Sequence, residues 1–180
     1  MTENAATRCG FVALIGAPNA GKSTLLNALV GAKVSIVSRK VQTTRALVRG
    51  IALEGAAQII FVDTPGIFRP KRRLDRAMVT SAWGGAGDAD AIALLVDARK
   101  GLDEEVEAIL SKLPELKAPK ILVLNKIDTI GTEKLLGLAA DLNARIPFAE
   151  TFMISALKGH GVPKLREKLA AMMQPGPWLY

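Results

Sequence analysis

The sequence predicts an α/β fold in which a mostly parallel sheet is covered by helices on both faces. Short apolar runs of β-type composition recur along the chain, and helical patterns lie between most of them. These runs are continuously apolar rather than alternating, which is typical of parallel strands buried on both faces. At 180 residues the chain has the length of one domain.

Six strands and five helices are expected. The runs Phe11–Ile15, Ile59–Val62, Ile92–Val96, Ile121–Leu124 and Phe152–Ile154 predict five strands. A sixth, within Ala46–Glu54, should pair antiparallel with Gln58–Val62 through a turn at Glu54 and Gly55, as the edge strand of the sheet. Helices are predicted at Lys22–Val30, Leu74–Trp83, Asp103–Leu113, Thr132–Ala144 and Val162–Met173.

Composition limits the classes of function. No apolar run approaches the roughly 18 residues of a membrane span, and the first one, Phe11–Ile15, is too short for a secretory signal. We therefore expect a cytoplasmic protein. The single cysteine, Cys9, cannot form an internal disulfide. A formal charge of +7 favours polyanionic partners, either nucleic acid or anionic lipid.

A glycine-rich segment between the first strand and the first helix fits the phosphate-binding pattern GxxxxGK[ST]. Small residues allow backbone N–H groups to turn toward phosphate oxygens, and the following helix dipole adds to the attraction. Lys22 would neutralise β/γ-phosphate charge, and the Ser23 hydroxyl would bind Mg²⁺. The predicted nucleotide contacts in this segment are Pro18, Asn19, Ala20, Gly21, Lys22, Ser23 and Thr24.

A second motif, Asp63-Thr64-Pro65-Gly66, follows the strand that ends at Val62. This places a carboxylate at the carboxyl edge of the sheet, beside the phosphate loop. We expect Asp63 to hold Mg²⁺ through water. Gly66 has no side chain, so its amide could approach and sense a γ-phosphate.

The base of the nucleotide should be recognised by Asn125-Lys126-Ile127-Asp128. A carboxylate at Asp128 accepts two hydrogen bonds from the N1–H and amine of guanine, whereas adenine would leave it unpaired. Lys126 would lie along the base plane, and Asn125 would brace the phosphate loop. After the last parallel strand, the backbone of Ser155, Ala156 and Leu157 offers donors to the guanine carbonyl.

These four elements, in this order, resemble those of the translation-factor-like GTPases. The phosphate loop GAPNAGKS together with SRKVQTTR at residues 38–45 is similar to the Era family of bacterial GTPases, which act in maturation of the small ribosomal subunit. The resemblance implies a P-loop NTPase G domain over residues 9–173, after an N-terminal extension at 1–8. It also implies a monomer that binds GTP or GDP, and Mg²⁺ coordination by Thr44 with GTP bound, with Thr43 as the alternative.

The family resemblance has further implications for partners. Era proteins carry a C-terminal KH domain that binds 16S rRNA, so residues 174–180 would begin the interdomain linker. Peripheral contact with the inner membrane is an open alternative. Two other interpretations compete. The first is a GTPase of the tRNA-modification branch, but the residues Gln42–Ala46 do not match the switch pattern expected of that branch. The second is a non-hydrolysing RNA- or membrane-binding module.

Hydrolysis is expected to be slow. Many small GTPases carry a water-positioning glutamine directly after the glycine of the second motif, but this chain has Ile67 there. Catalysis would depend on Lys22, Thr44, the Gly66 amide and Mg²⁺. Related GTPases use the phosphate-loop asparagine, here Asn19, to hold K⁺, although an asparagine can equally brace its own loop.

A basic cluster follows the second motif at Arg69, Lys71, Arg72, Arg73 and Arg76. Five cations within eight residues predict an exposed surface. The cluster could serve solubility alone, or it could meet RNA phosphate in one nucleotide state.

Overall fold

The computed structural model describes residues 6–17, 20–30, 47–63 and 89–179, without the side chains of residues 47–49 and 63. All statements below about elements and contacts concern these residues. The predicted helix Leu74–Trp83 lies outside them.

One mixed sheet forms the centre of the molecule. Its strands are β1 (Arg8–Gly16), β2 (Leu47–Glu54), β3 (Ala57–Asp63), β4 (Ala91–Asp97), β5 (Lys120–Asn125), β6 (Glu150–Met153) and β7 (Gln174–Pro175). The order is β2-β3-β1-β4-β5-β6, and β7 pairs with β1. Only β2 and β7 run antiparallel to their partners. The mostly parallel sheet and its antiparallel edge strand are confirmed.

The sheet has seven strands where six were expected. The extra strand, β7, is two residues long and pairs with Arg8 and Cys9 at the start of β1. The chain after it stays on the sheet, because Trp178 Nε1 donates to the Ala56 carbonyl at 2.9 Å and the Leu179 amide donates to Gln58 Oε1 at 3.0 Å. Sequence patterns miss this pairing because two residues give no periodicity. A linker at residues 174–180 stays a prediction.

Within the described residues, four helices cover the sheet: α1 (Lys22–Val30), α2 (Glu104–Lys112), α3 (Thr132–Arg145) and α4 (Val162–Met172). Each matches a predicted helix to within one residue at either end. Asp103 is the N-cap of α2 rather than its first residue, and its Oδ1 accepts the Val106 amide at 3.0 Å. None of the described helices combines the length and apolar character needed to cross a bilayer.

The core consists of two layers, one on each face of the sheet. Successive residues of a strand alternate between them: Ile15 and Leu94 pack with α2 and α3, whereas Leu14 and Leu95 pack with α1 and α4. All seven residues of β4 are buried. This burial explains the continuously apolar sequence of the central strands.

The parallel strands bring their carboxyl ends to one edge of the sheet. In the strand register, Gly16 at the end of β1 is opposite Leu95, and Asp97 at the end of β4 is opposite Asn125. Asp63 ends β3 opposite Leu14. Four chain segments with polar or glycine residues therefore meet at the edge where ligands bind in open α/β sheets.

Candidate nucleotide-binding site

The N-terminus of α1 opens into a pocket at this edge. The described residues that line it are Gly21, Lys22, Ser23, Thr24 and Lys126, and its volume is about 420 Å³. Helix α1 begins at Lys22 and has no acidic residue in its first turn. The partial positive charge of the helix end therefore favours an anion such as phosphate in this pocket.

Two glycines allow the close packing behind this pocket. Gly21 has φ +105°, a left-handed conformation that favours glycine, and a Cβ at this position would collide with Nδ2 of Asn125. At Gly16, a Cβ would lie 2.9 Å from the Leu95 carbonyl oxygen. Both glycines of the phosphate-binding pattern are thus required by the backbone geometry of the loop.

Asn125 connects three segments of the site. Its Nδ2 donates to the Ala20 carbonyl at 2.9 Å, and its Oδ1 accepts the Ala156 amide at 2.9 Å. The side chain is buried. The expected brace between Asn125 and the phosphate loop is present. A guanine carbonyl at the 155–157 loop would share the Ala156 amide with Asn125 or use that of Leu157, because the Ser155 amide donates to the His160 carbonyl at 3.0 Å.

Lys126 has an unusual backbone conformation. Its φ of 67° and ψ of 36° are left-handed, and among the described residues it is the one non-glycine with positive φ. Such a conformation is strained for a residue with a Cβ and persists when its surroundings enforce it. The Lys126 ammonium lies 3.0 Å from Oδ2 of Asp97.

Asp97 is a buried carboxylate with several donors. Burial alone would raise its pKa, but the hydrogen bond from Lys126, the backbone N–H of Arg99 and the charges of both cations outweigh it and hold the pKa below its ordinary value. The Arg99 amide donates to Oδ1 at 2.9 Å, so each carboxylate oxygen has a partner. Asp97 is therefore ionised at neutral pH.

Asp128, the predicted guanine-recognising residue, is exposed at the same edge. Its own backbone N–H lowers its pKa most, against a smaller effect of burial, and the Ser155 hydroxyl and Lys158 lower it further. The Lys158 ammonium lies 3.6 Å from Oδ2 of Asp128. These partners keep the group an ionised acceptor, the form needed to pair with two N–H donors.

The donor types at the edge suit Mg²⁺. The Ser23 hydroxyl belongs to the exposed first turn of α1, and the β3 backbone ends at Asp63, next to the β1 strand that leads into the phosphate loop. Hydroxyl and carboxylate oxygens together with phosphate are ligands that Mg²⁺ prefers. Several other predicted site residues lie outside the described part of the chain, namely Pro18, Asn19, Thr44 and Gly66, together with Ile67 and the basic cluster at residues 69–76.

Sequence reasoning missed two residues, Asp97 at this site and Arg166 at the opposite end of α1. Asp97 ends an apolar strand, as Asp63 does, so the rule that parallel strands end at one edge could have identified it. Arg166 of α4 donates through Nε to Leu29 O and through Nη2 to Ala28 O, both at 3.0 Å, and so caps the far end of α1. No local sequence signal predicts that contact, since it spans 137 residues.

Comparison with known proteins places the chain in a family. Residues 11–126 match the family described as 50S ribosome-binding GTPase. GTPase Era of Afipia carboxidovorans is 70% identical over 174 residues, which are 97% of this chain and 56% of that protein. The chain belongs to the Era family of GTPases. It spans little more than half the length of this curated Era relative.

Solved Era structures share the fold. An Era variant from Aquifex aeolicus bound to GDP and AlF4⁻ is 40% identical with a TM-score of 0.80, over 97% of this chain and 60% of that one. An Era complex with MgGDPNP and nucleotides 1506–1542 of 16S ribosomal RNA gives 40% identity and a TM-score of 0.81 over the same shares. The expected P-loop G domain and the Era resemblance are confirmed.

Proposed function

We propose that the chain is the GTP-binding, GTP-hydrolysing domain of a molecular switch that acts in small ribosomal subunit assembly and 16S rRNA maturation. The observation that carries this proposal is the buried side chain of Asn125, which joins the phosphate-loop residue Ala20 to the loop at Ala156. It holds the phosphate-binding and base-binding segments in one arrangement.

Base choice follows from Asp128. An ionised carboxylate accepts from the N1–H and the amine of guanine, whereas adenine presents an acceptor at N1 and no amine beside it. Lys126 lines the same pocket and would lie along the base plane. The site is therefore proposed to bind GTP and GDP and to reject ATP, with backbone donors from Ser155, Ala156 or Leu157 near the guanine carbonyl.

The phosphates would lie at the N-terminus of α1. Lys22 supplies a positive charge, and backbone amides from Gly21 to Thr24 donate to phosphate oxygens. Mg²⁺ would be held by Ser23 and Thr44, with Asp63 acting through water, and would supply charge neutralisation of the phosphates. The first turn of α1, which carries Ser23, and the backbone end of β3 at Asp63 lie at the same edge of the sheet, which supports this assignment.

Slow turnover is proposed for the isolated domain. Ile67 has no polar atom with which to orient a water molecule, so Lys22, Thr44 and the Gly66 amide would carry the catalysis. Asn19 either holds K⁺ beside the phosphates or braces its own loop, and phosphate release with and without K⁺ distinguishes these roles. Stimulation by K⁺ that is lost in Asn19→Ala supports the ion site.

The proposed partners are those of the Era family. One solved Era structure contains MgGDPNP and a 16S rRNA fragment. We propose that the protein acts with the same RNA as a cytoplasmic monomer, with the RNA held mainly by a KH domain of the kind that the family resemblance implies. Contact with the inner membrane is a further proposal, tested by co-sedimentation with anionic vesicles. The tRNA-modification branch is not favoured, since relatives that are 66% and 70% identical over nearly all of this chain are Era GTPases.

Two substitutions test the phosphate site. Lys22→Ala and Ser23→Ala should nearly abolish Mg²⁺-dependent binding of GDP without unfolding the chain, because both positions lie on a polar surface outside the core. Ser111→Ala is a matched control, as Ser111 is an exposed helical serine whose hydroxyl bonds to the Ala108 carbonyl. Calorimetric GDP binding and far-UV circular dichroism are the measurements. Loss of fold in the first two variants would make these residues structural.

A further inference from the structure

The last residue of β4 and the lysine of the base-recognition motif form a partly buried ion pair at the candidate site. Lys126 Nζ donates to Asp97 Oδ2 at 3.0 Å. Asp97 and Asn125 are opposite each other in the β4–β5 register, and the Ala98 amide donates to the Asn125 carbonyl at 2.9 Å. The turn after β4 is thus bonded directly to the segment that carries Lys126.

The Asp97 carboxylate is held rigidly. Its Oδ1 accepts the Arg99 amide, and its backbone carbonyl accepts the amides of Lys100 at 3.1 Å and Gly101 at 3.0 Å. The side chain is 4% exposed. The backbone and the Oδ1 atom of Asp97 are fixed by these hydrogen bonds, so the position of Oδ2 is fixed as well. Oδ2 accepts the hydrogen bond from the Lys126 ammonium.

Fixing the Nζ atom of Lys126 restricts a side chain that would otherwise have many rotamers. A lysine side chain has about 2 kcal/mol of rotamer freedom, and its backbone here is in a strained left-handed conformation. With its Nζ held by Asp97, the aliphatic part of the side chain is fixed where it lines the pocket. A base can then pack on a stem that has already lost its freedom, which lowers the entropic cost of binding.

The competing partner of Asp97 is weaker. Arg99 Nη2 lies 3.8 Å from the same oxygen, and its side chain is 56% exposed against 29% for Lys126. Exposed pairs at such distances contribute little. Of the two side-chain cations, Lys126 is therefore the stronger partner of the Asp97 carboxylate.

We propose that Asp97 is a positioning residue for nucleotide binding, which fixes the Lys126 side chain as a preformed wall of the guanine site. The proposal rests on the function proposed above. In this proposal the effect of Asp97 passes through Lys126, whose ammonium it binds. It adds to the guanine site a carboxylate from β4, a strand outside all four sequence motifs.

A double-mutant cycle on GDP affinity tests this role. Asp97→Asn keeps the shape and the bond to the Arg99 amide but loses the charge, and we expect it to weaken GDP binding about tenfold and to speed GDP release. Lys126→Met keeps the aliphatic stem and removes the ammonium. In that background, Asp97→Asn should change GDP affinity less than about twofold, because the interaction it breaks is already gone.

Controls separate positioning from folding. Asp103→Asn makes the same chemical change at the α2 N-cap, and Arg99→Ala removes the other cation near Asp97; both should bind GDP like the wild type. The ratio of GDP to IDP affinity should also be unchanged in Asp97→Asn, because the exocyclic amine that distinguishes these bases is assigned to Asp128. Urea midpoints recorded for every variant show how much folded protein each titration contains.

The possible outcomes are distinct. Three results together support the positioning role: the wild type binds GDP, Asp97→Asn binds it more weakly, and Asp97→Asn causes little further loss in the Lys126→Met background. Unchanged affinity in Asp97→Asn overturns it, and so does an equal loss in both backgrounds, which would make Asp97 a general structural residue. A wild-type chain that binds no guanine nucleotide would overturn the proposed function and this inference together.

Discussion

The side-chain amide of Asn125 donates to the carbonyl of Ala20, 105 residues earlier in the chain, at a distance of 2.9 Å. Its oxygen accepts the amide of Ala156, 31 residues later. One buried side chain therefore fixes three loops that adjoin the pocket. Both ends of the side-chain amide therefore have hydrogen-bond partners within the protein.

Replacing Asn125 with alanine should affect stability and binding together. Asn125→Ala leaves two buried backbone groups without a partner, and we expect the free energy of unfolding to fall by about 2–4 kcal/mol. GDP affinity should fall as well, because the phosphate loop loses its brace. Urea unfolding and calorimetry are the measurements. Asn143→Ala is the matched control, since Asn143 bonds to Thr151 and Ala139 near the surface; an equal loss in both variants would contradict the account.

Gly21 should not tolerate a side chain. In Gly21→Ala the left-handed φ of +105° and the collision with Asn125 should cost about 1–3 kcal/mol and remove GDP binding. Gly137→Ala offers a contrast, as Gly137 lies exposed in α3 with open space around it and should gain up to about 1 kcal/mol. Thermal midpoints of both variants decide this. Wild-type binding by Gly21→Ala would show that the loop can move.

Arg166 should stabilise α1 from outside the helix. Helix α1 has no basic residue in its last turn, and Arg166 supplies donors to its final carbonyls. Arg166→Ala should lower the free energy of unfolding by about 1–3 kcal/mol. Lys164→Ala, an exposed change on the same helix, should alter it by less than about 0.5 kcal/mol. Equal urea midpoints for the two variants would remove the capping role.

Asp128 should determine the choice of base. Asp128→Asn is expected to weaken GTP binding about a hundredfold or more and to favour xanthine nucleotide, because an amide can complement a carbonyl where guanine carries an amine. Competition binding with GTP and XTP measures this. Unchanged GTP affinity would refute the base assignment.

The same carboxylate predicts a pH dependence. The partners of Asp128 lower its pKa below the ordinary value of 3.8, so the ionised form that binds guanine is complete above that value and is lost only as pH falls through the lowered pKa. GTP affinity should therefore show no Asp128 titration between about pH 5 and pH 8. A loss of affinity near pH 6 that is absent in Asp128→Asn would contradict this.

The main features of the fold could be predicted from the sequence because they depend on local patterns of apolar residues. Continuous apolar runs such as Ile92–Val96 reflect burial on both faces, and the helices begin and end near the predicted residues. The seventh strand could not be predicted, since Gln174 and Pro175 pair with β1 over a separation of more than 160 residues. Nothing in the seven residues from 174 to 180, which include two prolines and a glycine, indicates a partner that distant.

Some residues of the candidate site could likewise be predicted from the sequence, whereas others depend on the arrangement of the strands. Spacing alone indicates the phosphate loop and the acidic residue Asp128, because their chemistry requires those residue types in that order. Contacts such as Lys126 with Asp97 depend on strand order, which places β4 beside β5. The nucleotide roles of Thr44, Gly66 and Asn19 stay predictions.

The most direct test of the central claim is a titration of the chain with GTP, GDP and ATP in Mg²⁺, followed by phosphate release with and without K⁺. The account predicts binding of GTP and GDP, no measurable binding of ATP, and slow release of phosphate from GTP. Binding of ATP as tight as that of GTP would contradict the base assignment. Tight GTP binding with no phosphate release would instead leave a nucleotide-stabilised binding module.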